Sequence, residues 1–398
     1  MDLNDYFDPI SLERPDLEFL EGQASFSHHI SVHTPDQPIR ELDQHQVVIF
    51  GIPEDRNAMV KGSAAAPDAV RSHLYRLAGI NQKLKIYDLG NLKIGSSVND
   101  SYFALRDILL ELENRSIVAL ILGGSQDLCK GAFLALEKRE ELQHVVSVDS
   151  MLDFTTRAEA KLNSRSYLNH MFEKEAARHF SYTNLGQQAY FMGNDQLRQM
   201  DQHHFEAVRL GKARADLRQA EPPIRDAVLL SIDLGAVRQS DAPAASIPSP
   251  NGFTGEELCQ LTRYAGLSDR TTIVAFFELN PERDLNGQTA HLTAQAAWYF
   301  LDGFTFRNPE NPAVASAQDS LSGGFTSFLV NLDAAGHNIN FLKSNTSGRW
   351  WMEIPVKNHA SGHNFFIACS YEDYQQASKD EIPERWWRYL HILEKVGD

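Results

Sequence analysis

The sequence predicts an α/β fold in three layers, a largely parallel sheet held between helices, and three observations predict it. Short runs of β-branched and apolar residues alternate with segments of helical periodicity, and right-handed crossovers between such strands cover both faces of one sheet. The strands read as continuous apolar runs, as strands buried on both faces do. Several of them break at their C-terminal ends into carboxylates or glycines, the end at which ligands of open parallel sheets gather. The clearest case is VVSVDSMLDF, where Val145, Val146 and Val148 give way to Asp149 and Asp153. Carboxylates placed there cost solvation energy unless a cation, a donor or water compensates. Without an ion, such a group needs a Lys or Arg partner or a shared proton.

Taken in order, residues 1–44 form a polar N-terminal arm packed over the domain. Its His28, His29 and His33 have no recognised metal-ligand spacing. Val47 to Gly51 reads as a strand and Pro67 to Gly79 as a helix, with the proline in the first turn and Gly79 as its cap. Leu84 to Asp88 is the next strand, and Tyr102, Leu105, Ile108, Leu109 and Leu112 mark one face of the next helix. Ile117 to Leu122 is an apolar strand that enters Gly123-Gly124-Ser125-Gln126-Asp127, where the glycines allow close backbone approach, followed by a helix to about Lys138. A short strand is expected at Gln188 to Phe191, a helix around Phe205 to Leu210, and a strand from Ala227 to Ile232 that ends at Asp233. Thr254 and Glu257 form a capping box for a helix closed by Gly266, Thr272 to Phe277 is a strand ending at Glu278, and a helix covers Thr289 to Gly303.

Residues 45–306 thus form the α/β domain, and 307–398 a C-terminal extension packed on it. In the extension, Phe325 to Leu332, Ile339 to Lys343 and Arg349 to Ile354 read as strands, the last two forming a hairpin about SNTSG, with a helix at the C-terminus. Four of the five tryptophans lie here, at Trp350, Trp351, Trp386 and Trp387. Two readings stay open for them: packing onto the main domain, or a surface for a protein partner or for self-association.

Composition narrows the function. With 42% hydrophobic and 23% charged residues the chain can bury a large core, and its net charge of −16 argues against nucleic acid and anionic membrane surfaces. No apolar run approaches a membrane span, and MDLNDYFDPI lacks the basic-then-apolar pattern of a secretory signal, so the expected compartment is the cytoplasm, without membrane insertion. Cys129, Cys259 and Cys369 fit neither a disulfide framework nor a zinc spacing and are expected to be reduced and buried.

GGSQD at 123–127, VDSMLD at 148–153, SIDLG at 231–235 and FELNP at 277–281 together resemble the signatures of the ureohydrolase superfamily, which includes arginase, agmatinase and formiminoglutamase. IPEDRNAMVKGSAAAPDAVR and SDAPAASIPSPNGFTGEEL resemble the family's N-terminal stretch and the segment after its third motif, so the likeness runs from about Val47 to Phe306. The resemblance implies an arginase-like fold and two manganese ions bridging a hydroxide that attacks a guanidinium or amidine carbon. It also implies six ligand positions, which in this chain are Gln126, Asp149, Met151, Asp153, Asp233 and Gly235. Both histidines are replaced, by Gln126 and Met151, and one aspartate by Gly235. Carried onto these positions, one ion would keep Asp149, Asp153 and Asp233 with the Gln126 amide oxygen, and the other only the shared Asp149 and Asp233. Glu278 matches the family's substrate-binding glutamate, or is a strand-end carboxylate paired with a nearby Arg or Lys. The proton-shuttling histidine has no secure counterpart: His170 reads as a surface helix residue, and His203 and His204 as part of a solvated helix.

The residues therefore predict a ureohydrolase fold that has lost dinuclear catalysis and works by binding, as a regulator, scaffold or assembly component. Its cofactor complement is none, or one Mn or Mg ion. The alternatives are a formiminoglutamase-type hydrolase of linear amidine C–N bonds using one ion or replacement ligands, and a sensor of small amidine or guanidino ligands built on Glu278. Restoring Gln126→His, Met151→His and Gly235→Asp is expected to return binding of two Mn²⁺ ions with little or no hydrolysis.

Overall fold

A computed structural model describes residues 1–10, 24–81, 83–155, 161–173, 179–310, 312, 324–332, 336–355 and 365–396. Two short strands come first, β1 (Phe7–Asp8) and β2 (Ser31–Val32). The alternation then runs β3 (Val47–Gly51), α1 (Ala66–Leu74), β4 (Ile86–Leu92), α2 (Val98–Asn114), β5 (Val118–Leu122), α3 (Cys129–Leu136) and β6 (Gln143–Val148). It continues with β7 (Phe180–Gln187), α4 (Asn194–Gln202), β8 (Glu206–Arg209), α5 (Leu210–Ala215), α6 (Glu221–Asp226), β9 (Leu229–Asp233), α7 (Gly255–Leu267), β10 (Ile273–Phe277) and α8 (Gln288–Phe304).

These strands join in one sheet in the order β1-β4-β3-β5-β10-β9-β6-β7-β8, with β2 beside β4, parallel throughout except for β1. Successive strand residues serve opposite faces. Val47, Ile49, Leu120, Leu122, Val274 and Phe276 pack with Val70 of α1, Leu261 of α7 and Phe300 of α8. Their neighbours Val48, Phe50, Ala119, Ile121, Ala275 and Phe277 pack with Leu105 of α2 and Phe133 of α3. Two apolar layers on one sheet make the three-layer architecture that the alternation predicts. The capping box of α7 is formed, with Glu257 N–H donating to Thr254 Oγ1 (3.1 Å) and Thr254 N–H to Glu257 Oε2 (2.7 Å). None of the described helices is long and apolar enough to cross a membrane.

Several boundaries differ from the sequence reading. Helix α1 stops at Leu74 rather than Gly79, because the following residues bond the N-terminal arm: Phe26 N–H donates to Leu77 O (2.7 Å) and Gly79 N–H to Ala24 O (2.8 Å). Gln188 to Phe191 is a turn rather than a strand; the strand is the preceding β7, and Gln188 N–H leaves the ladder to bond Ser150 O (2.9 Å). The segment read as a helix at Phe205 to Leu210 is β8, drawn into the sheet by pairing with β7, and α5 follows it. Gly266 lies inside α7, where a Cβ would sit 2.2 Å from Phe300 O of α8; it serves close helix packing and caps nothing.

The C-terminal extension is an antiparallel sheet, β11 (Phe325–Leu332), β12 (His337–Ser344), β13 (Trp350–Ile354) and β14 (Phe365–Cys369), followed by α9 (Tyr371–Ala377) and α10 (Glu384–Val396). The hairpin about SNTSG joins β12 to β13, and β14 is a fourth strand the sequence reading missed. Trp350, Trp351 and Trp386 are buried, which favours packing over exposure for all but Trp387. Arg225 of α6 reaches into the extension, stacking 4.4 Å from the Trp351 ring centre and donating to Trp350 O (2.8 Å). Beside it, Asp226 accepts from Arg385 Nη2 (2.7 Å) and Ala368 N–H (2.8 Å).

Candidate cation site

Parallel strands send their carboxyl ends the same way, so the loops after the adjacent strands β5, β10, β9 and β6 converge at one edge. They bring together Gln126, Glu278, Asp233, Asp149 and Asp153, all buried. Oxygens of Asp149, Asp153 and Asp233 lie within 4.8 Å of one another. Among the described residues this is the one group of three or more His, Cys, Asp or Glu side chains placed to hold a metal ion.

Backbone donors fix the carboxylates. Met151 N–H donates to Asp149 Oδ1 (2.9 Å) and Gly235 N–H to Asp233 Oδ1 (2.6 Å). Glu278 sits in the left-handed region with φ +64°, a conformation a non-glycine residue keeps only where its surroundings hold it. Gln126 N–H donates to its Oε1 (2.9 Å), its own N–H donates to Gly124 O (3.0 Å), and Ser246 N–H donates to its carbonyl (2.7 Å). The Gly124 turn is needed for this, since a Cβ there would lie 2.0 Å from Glu54 O. Asp127 anchors the same loop, accepting from Ser125 Oγ (2.5 Å) and from the Tyr102 hydroxyl, which also accepts from Asn57 Nδ2 (2.9 Å). The Gln126 side chain donates to Ser231 Oγ (3.2 Å), and its buried Oε1 accepts no hydrogen bond.

The positive partner is Arg165, which the sequence reading did not single out. Its Nη1 lies 2.8 Å from Asp153 Oδ1, and its Nη2 rests against Met151 Sδ. A polar turn holds it there. Arg165 N–H donates to Asn163 Oδ1 (2.8 Å), Asn163 N–H to Ser166 Oγ (3.0 Å), and Ser164 N–H to Asn57 O (3.1 Å), tying the turn to the loop after β3.

Burial is the main reason that Asp149 is pushed well above the usual carboxylate range; Asp153 and Asp233 add repulsion and Arg165 offsets part of it. Burial also raises Asp153 to about 7 against the pull of Arg165, and Glu278 to about 8 with Asp233 as the next cause. Asp233 is raised by burial and held back by Gly235 N–H and Arg165. Burial opposes the charge on Arg165, but the surrounding carboxylates outweigh it and its pKa rises. One guanidinium among four carboxylates leaves protons shared within the cluster near neutral pH.

The residues present do not fit a two-ion group. At the positions that the resemblance gives to the second ion, Met151 offers a thioether and Gly235 no side chain, and the Arg165 guanidinium fills the space beside Met151. The candidate histidines lie elsewhere. His170 is in a 3₁₀ turn, stacked on Phe133 and 2.6 Å from Glu137 Oε1, so it is a packed residue rather than a surface-helix one. His204 stacks on His391 of α10, with ring centres 5.0 Å apart, at the end of α4 beside His203. In the arm, His28 bonds Ser25 Oγ (2.8 Å) and His33 bonds Leu89 O (2.9 Å).

The sequence model described as the Arginase family matches residues 45–302. The formimidoylglutamase of Citrobacter koseri is 25% identical over 279 residues, covering 66% of this chain and 87% of the relative. That of Rhodococcus jostii is 22% identical over 296 residues, covering 68% and 89%. Among solved structures, Trypanosoma cruzi formiminoglutamase with Mn²⁺ superposes with a TM-score of 0.65 at 20% identity, covering 72% of this chain and all of that one. Bacillus subtilis formimidoylglutamase gives 0.63 at 17% identity, covering 74% and 97%.

Proposed function

The chain belongs to the arginase family, and from that membership we propose that it is a member whose dinuclear site has been rebuilt around an arginine and which acts by binding, as a regulator or assembly component, and not by hydrolysis. The observation that carries the reading is Arg165, its guanidinium between Asp153 and Met151. A guanidinium supplies fixed positive charge and planar donors, but it cannot lower the pKa of a bound water as a divalent ion does. A carboxylate cluster neutralised this way keeps its fold and loses its nucleophile.

One observation favours the second reading, hydrolysis of a linear amidine with a single hard ion. The buried, unbonded Gln126 Oε1 and the strained Glu278 are features that a plain ion-pair core does not require. Dialysis against Mn²⁺ followed by elemental analysis, with ammonia and urea release measured on formimino and guanidino compounds, separates the two. The expected result is fewer than one ion per chain and no turnover. Two ions per chain, or turnover at an ordinary enzymatic rate that disappears in Asp149→Ala, overturns the non-catalytic reading.

A further inference from the structure

A sheet edge left open is a template for another strand, and proteins blunt such edges by shortness, charge, proline or a covering element. Three of the four edges here are blunted. One edge is shared by β1 and β2, both beside β4 and each two residues long, and β1 carries Asp8 and runs into Pro9. β8 is four residues long and carries Glu206 and Arg209. β14 lies under α6, with Ala368 N–H and Cys369 O bonded to Asp226 and Arg225.

The fourth, β11, is blunted by none of these among the described residues. It spans eight residues, Phe325-Thr-Ser-Phe-Leu-Val-Asn-Leu332, with no charge and no proline. Its pairing with β12 runs from Phe325↔Ser344 to Leu332↔His337 without a bulge, so the edge stays regular. Among the described residues nothing pairs with its other side. Leu329 is 66% exposed in the middle of it.

We propose that β11 is a self-association edge, on which a second copy of this chain adds its own β11 antiparallel about a two-fold axis at Leu329, making one continuous eight-stranded sheet. The register follows from the strand's own sequence. Directly opposed residues of an antiparallel pair share a face, so a perpendicular two-fold must pass through a residue. Centred on Leu329, it sets Leu329 against its twin, Phe328 against Val330 and Ser327 against Asn331, like with like at the centre, and only toward the strand ends Thr326 against Leu332. Centred on Phe328, it sets Ser327 against Leu329 and Thr326 against Val330, polar against apolar. Self-complementarity of this kind favours a second copy over a foreign strand. It also moves self-association in the extension from the tryptophans, three of which are buried, to the strand edge.

The test uses the full chain. Sedimentation equilibrium at tens of micromolar is expected to give an assembly whose mass is halved by Leu329→Lys, a change at an exposed side chain that should leave the melting temperature within a few degrees. Leu329→Cys is expected to be bridged between copies by a short bismaleimide, because opposed Cβ atoms lie about 5 Å apart. Asn338→Cys on β12 serves as the unbridged control. A monomeric wild type, or an assembly that Leu329→Lys leaves unchanged and Leu329→Cys does not bridge, overturns the proposal.

Discussion

Arg165 Nη1 lies 2.8 Å from Asp153 Oδ1 while Arg165 Nη2 touches Met151 Sδ, so one guanidinium spans a carboxylate that would serve one metal ion and a thioether where a ligand of the other would stand. The arginine and the methionine belong together. A protonated histidine at 151 would put a second positive charge against the guanidinium, whereas a thioether sulfur is a neutral, weak acceptor for its N–H.

Removing that arginine should expose the repulsion it offsets. Arg165→Ala leaves buried carboxylates without their cation, and breaking one partner of a buried pair typically costs about 3 kcal/mol or more. Arg165→Lys should recover part of the loss, since it restores the charge without the planar fork. Urea unfolding of the three proteins at one pH checks the order wild type, Lys, Ala. An Ala variant as stable as wild type would show that Arg165 does not balance the cluster.

Most of this site was legible before the fold, and one residue was not. Asp149, Asp233 and Glu278 each end an apolar run and Asp153 follows in the loop after Asp149, and a parallel sheet has to gather such ends, so local pattern and topology point to the same place. Arg165 follows no strand and belongs to no motif. Its position depends on Ser164 bonding Asn57, a contact between distant parts of the chain that no local window contains. β8 was misread for a similar reason: Glu206-Ala-Val-Arg209 carries little β-branched character, and its partner β7 decides its state. In the extension, the hairpin was visible through its turn residues, while β14 is separated in sequence from its partner β13 by residues 355–364, too long a stretch to give a tight-hairpin signal.

The junction between α6 and the extension should behave as a single unit. Asp226 is buried and accepts from Arg385 and Ala368 N–H, so Asp226→Ala leaves Arg385 without its carboxylate. The expected cost is about 3–5 kcal/mol. The tryptophans should report it, since four of the five lie in the extension. A red-shifted emission and early cleavage between the two sheets in limited proteolysis are expected, with the main-domain far-ultraviolet signal retained. Unchanged emission and protease resistance would contradict this.

A histidine at the same junction gives a pH dependence. His144 is buried in β6, its Nδ1 2.9 Å from the Tyr389 hydroxyl and 2.8 Å from Ser181 Oγ. Burial, with Arg385 and Arg270 nearby, holds its pKa well below the usual histidine value of 6.5. The unfolded chain therefore binds a proton at His144 that the folded chain does not. Stability from this group is complete above pH 6.5 and is lost as the pH falls below it, at most about 1.4 kcal/mol per pH unit. The neighbouring acidic cluster titrates in the opposite sense, so the informative quantity is a difference. From pH 7.5 down to 5, wild type should lose stability relative to His144→Gln, whatever the sign of the common slope; parallel curves would remove His144 as the cause.

The last expectation concerns installing the six ligand types that the family resemblance implies, and Arg165 bears on what that requires. Gln126→His, Met151→His and Gly235→Asp return the six ligand types, but they leave Arg165 in place, with its guanidinium against residue 151 and Asp153. A fixed positive charge there opposes a second divalent ion directly. Position 235 is also tight, since a Cβ would lie 3.0 Å from Ile247 O and 3.1 Å from Asp233 Oδ1, so the added carboxylate needs a small shift of its neighbours and a cation to repay the repulsion. The triple variant is therefore expected to bind at most one Mn²⁺, and the quadruple variant with Arg165→Ala to bind two. Titration calorimetry with elemental analysis reads the stoichiometry. Hydrolysis of formimino or guanidino compounds should remain weak even then, because binding two ions does not by itself orient them, and the groups that orient metal ligands each contribute about 10- to 100-fold. Two tightly bound ions in the triple variant, with Arg165 still present, would show that the guanidinium yields to metal and would overturn the role proposed for it.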